Sequence, residues 1–149
     1  MIRNLWYAVL ESRELKAGNM LATTRLGERL VFWRNKKGEP VCFFDRCAHR
    51  GASLTCGKHY GDRIACPFHG LEYDSSGQCV KIPANGKNAP VLERFRMRVY
   101  RTYEAYGIIW IWWGENPPLD LQTPTFFDDL KQKQHWRTVV DPWQVHYTR

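Results

Sequence analysis

The sequence has few of the features expected of a membrane, secreted or nucleic-acid-binding protein. Its most apolar segment, residues 108–113, is far shorter than the roughly 20 residues that a membrane-spanning helix needs. Charged residues between Arg3 and Glu14 interrupt any signal-peptide core. The 22 Lys and Arg residues exceed the 15 Asp and Glu residues, for a net charge of +7, but no basic block is longer than Lys36-Lys37. We therefore expect a cytoplasmic protein that binds neither a membrane nor nucleic acid, with an acidic protein partner as the main alternative use of its charge.

Cysteine is scarce among the 149 residues, and its arrangement argues against disulfide bonding. The five cysteines are an odd number, and two of them, Cys47 and Cys66, stand in short segments that also contain histidine. Small secreted domains usually carry even numbers of cysteines in a disulfide framework. The pattern is more typical of metal binding in a reducing compartment.

The sequence shows almost no helical periodicity, no internal repeat and no low-complexity segment. Short β-prone runs separated by turn residues predict an all-β domain of small antiparallel sheets. Residues 20–26 and 29–34 form one predicted hairpin, and residues 97–102 and 106–113 form another around Glu104-Ala105. Because the run Arg29 to Arg34 is apolar on both faces, we expect its strand to be covered on both sides.

Two segments carry the chemistry of the chain. The first reads C47-A48-H49-R50-G51 and the second C66-P67-F68-H69-G70, with one more residue between Cys and His. Thiolate and imidazole are ligands preferred by zinc, copper and iron–sulfur centres, whereas carboxylate clusters favour calcium or magnesium. Cys-x-His is tighter than the Cys pairs of structural zinc sites. A Cys2His2 zinc site therefore stays open beside a two-iron cluster in which Cys47 and Cys66 bind one iron and His49 and His69 bind the other.

C-x-H-R-G followed by C-P-F-H-G resembles the Rieske [2Fe–2S] motif over all four ligand positions. The resemblance implies a [2Fe–2S] cofactor held by Cys47, His49, Cys66 and His69. It also implies a Rieske-type domain of small antiparallel sheets whose two cluster loops lie at one tip.

Four positions near the proposed ligands can be compared with the pattern of that family. Respiratory Rieske proteins resemble C-x-H-x-G-C and C-P-C-H, with the two extra cysteines in a disulfide; here these positions hold Ala52 and Phe68. Leu71 replaces a serine that hydrogen bonds towards the cluster, while Tyr73 stands where a sulfur-bonding tyrosine is familiar and could equally be a core aromatic. Rieske centres have potentials of about −150 to +300 mV. We expect the lower half of that range here.

Most of the remaining chain resembles the N-terminal part of the α subunit of Rieske non-haem iron oxygenases. The similar segments are N-L-W-Y, C-P-F-H-G-L-E-Y-D, G-I-I-W-I-W-W-G and the stretch through Trp136. The resemblance implies reduction by a reductase or ferredoxin, and electron delivery to a mononuclear iron, usually in the neighbouring subunit of a homotrimer. His69 is the implied exit. The implied function is the electron-relay part of an oxygenase that hydroxylates or demethylates substrates, especially aromatic compounds, with O2 and NAD(P)H-derived electrons.

The sequence supplies no facial triad for a mononuclear iron, so we assign no catalytic residue. His59 lies between the two segments and is expected at the surface, His135 lies in a polar linker, and the better interpretation of His146 is structural. We predict a Rieske domain over residues 1–116, and a linker with the start of a missing catalytic domain over residues 117–149. Mononuclear Fe(II) is expected only in that missing domain. A stand-alone Rieske ferredoxin carrying electrons between a reductase and an oxygenase is the alternative, and a Cys2His2 zinc-binding module is a weaker one.

Overall fold

The computed structural model describes residues 2–86, 91, 93–115 and 124, and within them the fold is all-β, as predicted. His135, His146 and all but one residue of the predicted linker lie outside the described residues. Three-residue 3-10 turns are the only helical elements described, so no described helix has the length and apolar character needed to cross a membrane. The strands are β1 (Leu5–Glu11), β2 (Met20–Arg25), β3 (Glu28–Arg34), β4 (Pro40–Phe44), β5 (Lys58–His59), β6 (Arg63–Ala65), β7 (Glu72–Asp74), β8 (Cys79–Lys81), β9 (Val99–Tyr100), β10 (Thr102–Ala105) and β11 (Ile108–Trp113).

The strands form three antiparallel sheets. The outer sheet has the order β1-β11-β10, the middle sheet β2-β3-β4-β9, and the cluster sheet β5-β6-β7-β8. The predicted hairpin of β2 and β3 is confirmed, with Arg25 opposite Glu28 across the turn. The middle sheet also includes β9, which lies about 55 residues after β4 in the chain. Cys42 of β4 pairs with Tyr100 of β9.

The middle sheet is covered on both faces, as the apolar character of β3 predicts. Leu30 and Phe32 pack with Ile109 and Ile111 of the outer sheet in one buried cluster. Val31 and Trp33 belong to a second buried cluster that includes residues of the cluster sheet and of the loops beside it. Because successive side chains of a strand point to opposite faces, one strand contributes to two cores.

A bidentate ion pair ties the middle sheet to the outer sheet. The Arg34 guanidinium donates to both carboxylate oxygens of Glu104, at 2.7 and 2.8 Å. It also donates to the carbonyl oxygens of Leu15, Gly38 and Ser12. Fork-to-fork geometry of this kind fixes orientation as well as charge.

The last hairpin differs from its predicted position. Ala105 pairs with Ile108, so the turn residues are Tyr106 and Gly107 rather than Glu104 and Ala105. Both turn residues have positive φ, 59° and 75°. This two-residue turn geometry normally takes Asn, Asp or Gly at its first position, and tyrosine gives no such signal in the sequence.

Candidate metal centre

The two Cys/His segments are loops at the ends of strands. The first loop (Cys47–Gly51) follows β4, and the second loop (Cys66–Gly70) joins β6 to β7. β4 belongs to the middle sheet and β6 to the cluster sheet, so the two loops come from neighbouring layers of the fold. The buried side chains of Cys47 and Cys66 belong to the same core cluster.

The two loops have the same backbone hydrogen bonds. The Cys47 amide donates to the Ala52 carbonyl (2.8 Å) and the Cys66 amide donates to the Leu71 carbonyl (2.8 Å), five residues on in each case. The amides of Gly51 and Gly70, each four residues after its cysteine, donate back to the cysteine carbonyls. Both glycines have positive φ, 74° and 71°, so each reverses the chain in a conformation that other residues adopt at a cost.

The two thiols are buried and lie close to one another. Burial raises the pKa of the Cys66 thiol, and the neighbouring Cys47 thiol raises it further, while backbone N–H groups of Phe68 and His69 that bond to the sulfur oppose the rise. The Cys66 thiol therefore resists ionisation unless a cation is bound, and metal binding takes the thiolate form.

Tyr73 contacts the first thiol from the core. Its hydroxyl lies 3.2 Å from the Cys47 sulfur, and the ring is fully buried. Burial raises the pKa of the Tyr73 hydroxyl, and the hydrogen bond to Cys47 raises it further, so the hydroxyl stays neutral and can donate to the sulfur when Cys47 is a thiolate ligand. The sequence left a sulfur-bonding role and a core role open for this residue. The geometry combines the two.

The two imidazoles lie together at the surface. The ring centroids of His49 and His69 are 4.9 Å apart. His69 is exposed and His49 is partly exposed. Both rings line a surface cavity of about 340 Å³ together with Leu71, Ile82, Ala84, Asn85, Arg94 and Phe95. The thiols therefore face the core and the imidazoles face solvent.

This donor set fits a [2Fe–2S] group of the Rieske type. Paired buried thiols, paired surface imidazoles and N–H and O–H donors directed at sulfur are the surroundings that such a group uses. Among the described residues, no three or more His, Cys, Asp or Glu side chains form a group suited to a single metal ion. A binuclear centre that takes two side chains at each iron does not require a group of three or more such side chains.

Two buried carboxylates beside the loops were not recognised from the sequence. Asp45 accepts hydrogen bonds from the Ser53 hydroxyl, the Thr55 amide and the Arg29 guanidinium, at 2.6, 3.0 and 2.9 Å. Burial disfavours the charged form of Asp45, but these hydrogen bonds outweigh it and hold the pKa of the carboxyl below its usual range. The available signal was a lone acidic residue ending the apolar run P-V-C-F-F-D directly before the first loop.

Glu72 is the second such carboxylate, and it lies two residues after Gly70, the last residue of the second loop. Its two oxygens accept from Arg63 and Lys81, each at 2.9 Å. It lines a surface cavity of about 490 Å³ that Cys66 and Pro67 also line.

The three remaining cysteines, Cys42, Cys56 and Cys79, lie outside the two loops. Cys42 lies in the core cluster between the middle and outer sheets, and burial raises the pKa of its thiol. Cys79 is buried in the same core cluster as Cys47 and Cys66, and its thiol contacts the Lys81 carbonyl at 3.5 Å. Cys56 is exposed, and all five thiols are free of disulfide bonds.

The chain matches a known protein family and is similar to several curated proteins. The family described as "Rieske [2Fe-2S] domain" matches residues 5–104. The chain is 37% identical over 117 residues to the chloroplastic chlorophyllide a oxygenase of Oryza sativa subsp. japonica. The alignment covers 78% of this chain and 21% of that protein. It is 33% identical over 150 aligned positions to the iron-sulfur subunit TsaM1 of the toluene-4-sulfonate monooxygenase system of Comamonas testosteroni, covering 98% of this chain and 40% of that protein. The chain thus spans well under half of these curated relatives.

Solved structures show the same relationship. Apo dicamba monooxygenase superposes with a TM-score of 0.69 at 34% identity, over 76% of this chain and 34% of that one. The reduced complex between oxygenase and ferredoxin in carbazole 1,9a-dioxygenase gives a TM-score of 0.71 at 32% identity, over 84% of this chain and 33% of that one.

Proposed function

Since the chain belongs to the Rieske [2Fe–2S] domain family, we propose that it is the electron-relay part of an oxygenase that hydroxylates or demethylates substrates. The observation that carries the proposal is the joint arrangement of two buried thiols with two adjacent surface imidazoles. The relatives named above are oxygenases or oxygenase subunits, which supports the same assignment.

The proposed ligands are Cys47 and Cys66 for one iron and His49 and His69 for the other. A bound [2Fe–2S] cluster supplies one-electron oxidation and reduction, with no bond chemistry of its own. The protein's contribution is to bury both cysteines, to direct the Tyr73 hydroxyl at Cys47, and to direct backbone N–H groups at Cys66. The His69 ring is exposed, so a partner that docks there would contact a proposed ligand directly.

The relatives support a proposal for the partners and for the other parts of the reaction. We assign reduction to a reductase or ferredoxin donor, in line with the oxygenase–ferredoxin complex among the similar structures. The acceptor is a mononuclear Fe(II) in a catalytic domain or a neighbouring subunit of a homotrimer. On this proposal residues 1–116 are the Rieske domain and residues 117–149 lead towards the catalytic domain. Cytoplasmic location and an aromatic substrate belong to the same proposal.

Metal analysis and spectroscopy of the purified chain test the proposal. We expect about two irons and two acid-labile sulfides per chain, a coloured oxidised protein, and nitrogen hyperfine couplings from two imidazoles in the reduced state. The midpoint potential should lie between about −150 and +75 mV, the lower half of the Rieske range. A colourless protein with one zinc per chain would instead identify a Cys2His2 zinc-binding module.

The reading frame after Arg149 separates an oxygenase from a stand-alone carrier. An in-frame N-x-x-D-x-x-H-x4-H motif, whose two His and one carboxylate can bind a mononuclear iron, supports the oxygenase. A stop codon directly after Arg149 would favour a ferredoxin-like carrier.

A further inference from the structure

The described residues include two charged side chains that are buried, Asp45 and Glu72, and each lies beside one of the two cluster loops. Asp45 is two residues before Cys47, and Glu72 is two residues after Gly70. Burying a charge costs free energy unless hydrogen bonds and an opposite charge compensate it. The two carboxylates differ in which groups provide this compensation.

Asp45 bonds to the chain on the far side of the first loop. Its Oδ2 accepts from the Ser53 hydroxyl and its Oδ1 accepts from the Thr55 amide. Its own amide donates to the Arg29 carbonyl of β3 at 2.9 Å, so the backbone of Asp45 is also bonded to the middle sheet. The carboxylate therefore connects the residue just before the first loop to two residues just after it.

Glu72 makes no comparable closure. Within the described part of the chain, its oxygens accept from the side chains of Arg63 and Lys81, and both lie on strands of the cluster sheet. Its pairing therefore ties β6, β7 and β8 together. The second loop is closed by its own backbone bonds and by the short strands on either side.

We propose that Asp45 is a positioning residue that closes the base of the first loop and so holds Cys47 and His49 in the geometry that retains the cluster. The inference rests on the proposed function. Besides Asp45, two backbone bonds span the first loop, from the Cys47 amide to the Ala52 carbonyl and from the Gly51 amide to the Cys47 carbonyl, and neither of them reaches Ser53 or Thr55. The exposed Arg29 guanidinium, 2.9 Å from Oδ2, neutralises the carboxylate charge, so the main effect of Asp45 is on geometry.

Cluster release from the holoprotein tests this role. The rate of iron capture by an excess chelator is measured for the wild type and for Asp45→Ala, Asp45→Asn, Ser53→Ala and Glu72→Gln. We expect Asp45→Ala to release iron about 10- to 100-fold faster, as is usual when a group that orients metal ligands is removed. Asp45→Asn keeps an acceptor for the Thr55 amide and can still meet the Ser53 hydroxyl, so it should restore much of the retention. Ser53→Ala should show a smaller acceleration of about 3-fold.

Spectroscopy distinguishes positioning from general stability. In Asp45→Ala and Ser53→Ala we expect altered hyperfine coupling for one of the two imidazoles, because His49 lies in the loop that has lost its closure. Glu72→Gln, the matched loss of a buried, arginine-paired carboxylate, should keep both couplings and release iron within about 2-fold of the wild type.

Three results would overturn the inference. One is unchanged release in Asp45→Ala. The second is equal acceleration in Glu72→Gln, which would show that any buried charge near the loops has this effect. The third applies if Asp45→Ala does not fold: Ser53→Ala then decides, and wild-type release and couplings in that variant would refute the role. Absence of a cluster in the wild type would instead refute the proposed function.

Discussion

At the residue scale, the hydrogen-bond donors near the ligand sulfurs affect the reduction potential of the proposed centre. The Tyr73 hydroxyl lies 3.2 Å from the Cys47 sulfur in a fully buried position. A donor directed at a thiolate ligand stabilises the more negative, reduced state of the centre. Leu71, buried beside the second loop, offers no such donor at the position where respiratory proteins have serine.

Tyr73→Phe should lower the midpoint potential. A hydrogen bond of this kind contributes about 1 kcal/mol, which for a one-electron couple corresponds to roughly 40 mV. Redox titration of the holoprotein measures the change. Tyr7→Phe is the control, because the Tyr7 hydroxyl donates to the Ile2 carbonyl, far along the chain from either loop. A potential that rises, or that stays within about 10 mV of wild type, would contradict the assignment of Tyr73 as a donor.

The ligand residues could be predicted from the sequence because their spacing is itself chemical information. Thiolate and imidazole pairs have few alternative uses at such short separations. Asp45 could not be predicted in the same way, because its partners Arg29 and Ser53 are 16 and 8 residues away and meet it only after β3 and β4 have paired.

At the element scale, turns show where sequence signals succeed and fail. The hairpin of β7 and β8 has Gly77 at positive φ, and the run S-S-G predicts it. The turn of β10 and β11 has Tyr106 at positive φ, where the hydroxyl of the same residue donates to the Pro124 carbonyl at 3.2 Å. A tertiary contact therefore accompanies a backbone conformation that local propensity disfavours, and the sequence alone places the turn two residues too early.

Gly77→Ala should destabilise the fold more than Gly107→Ala. Both glycines have positive φ, so each substitution costs about 1 kcal/mol from the backbone alone. A Cβ at Gly77 would also meet Val99 Cγ2 and the Met97 carbonyl oxygen, whereas a Cβ at Gly107 would meet nothing within 4 Å. We expect an additional loss of about 1 to 3 kcal/mol at Gly77. Thermal unfolding of the two variants measures the difference, and equal midpoints would show that the Val99 contact relaxes freely.

At the scale of the whole molecule, the middle sheet and its ion pair join the layers. The Arg34 guanidinium, through its hydrogen bonds to Glu104, holds the pKa of that carboxyl below its usual range, and burial opposes this effect. The stacking of the layers follows from the two apolar faces of β3, which the sequence shows. The ion pair joins residues 70 positions apart, so it could not be read from local pattern.

Glu104→Gln should remove a pH-dependent part of the stability. Because the folded pKa of Glu104 is lower than the unfolded value of about 4.3, its contribution is fully present above that pH and is lost as the pH falls through the folded pKa. We expect the wild type to exceed the variant by about 1 kcal/mol at pH 7 and by progressively less in acid. Thermal midpoints of both proteins from pH 7 to pH 3.5 test this. A difference that stays constant across the range would contradict it.

The net charge of +7 should affect encounter with an electron donor. Complementary charge mainly raises the association rate, and salt screens it. Reduction by an acidic ferredoxin should therefore slow as ionic strength rises, while reduction by an uncharged chemical reductant should not. A ferredoxin rate that is insensitive to salt would show that the charge has no part in docking.

The matched hydrogen bonds of the two loops bear on how such sequences should be aligned and redesigned. Each loop spans five residues from its cysteine to its glycine and closes through the same pair of backbone bonds. C-x-H and C-x-x-H therefore differ in which position of a constant backbone frame carries the imidazole, and no residue has been inserted. An alignment of the two loops to each other needs no gap. In design, exchanging Phe68 and His69 would move the ligand by one position while leaving the length of the loop unchanged.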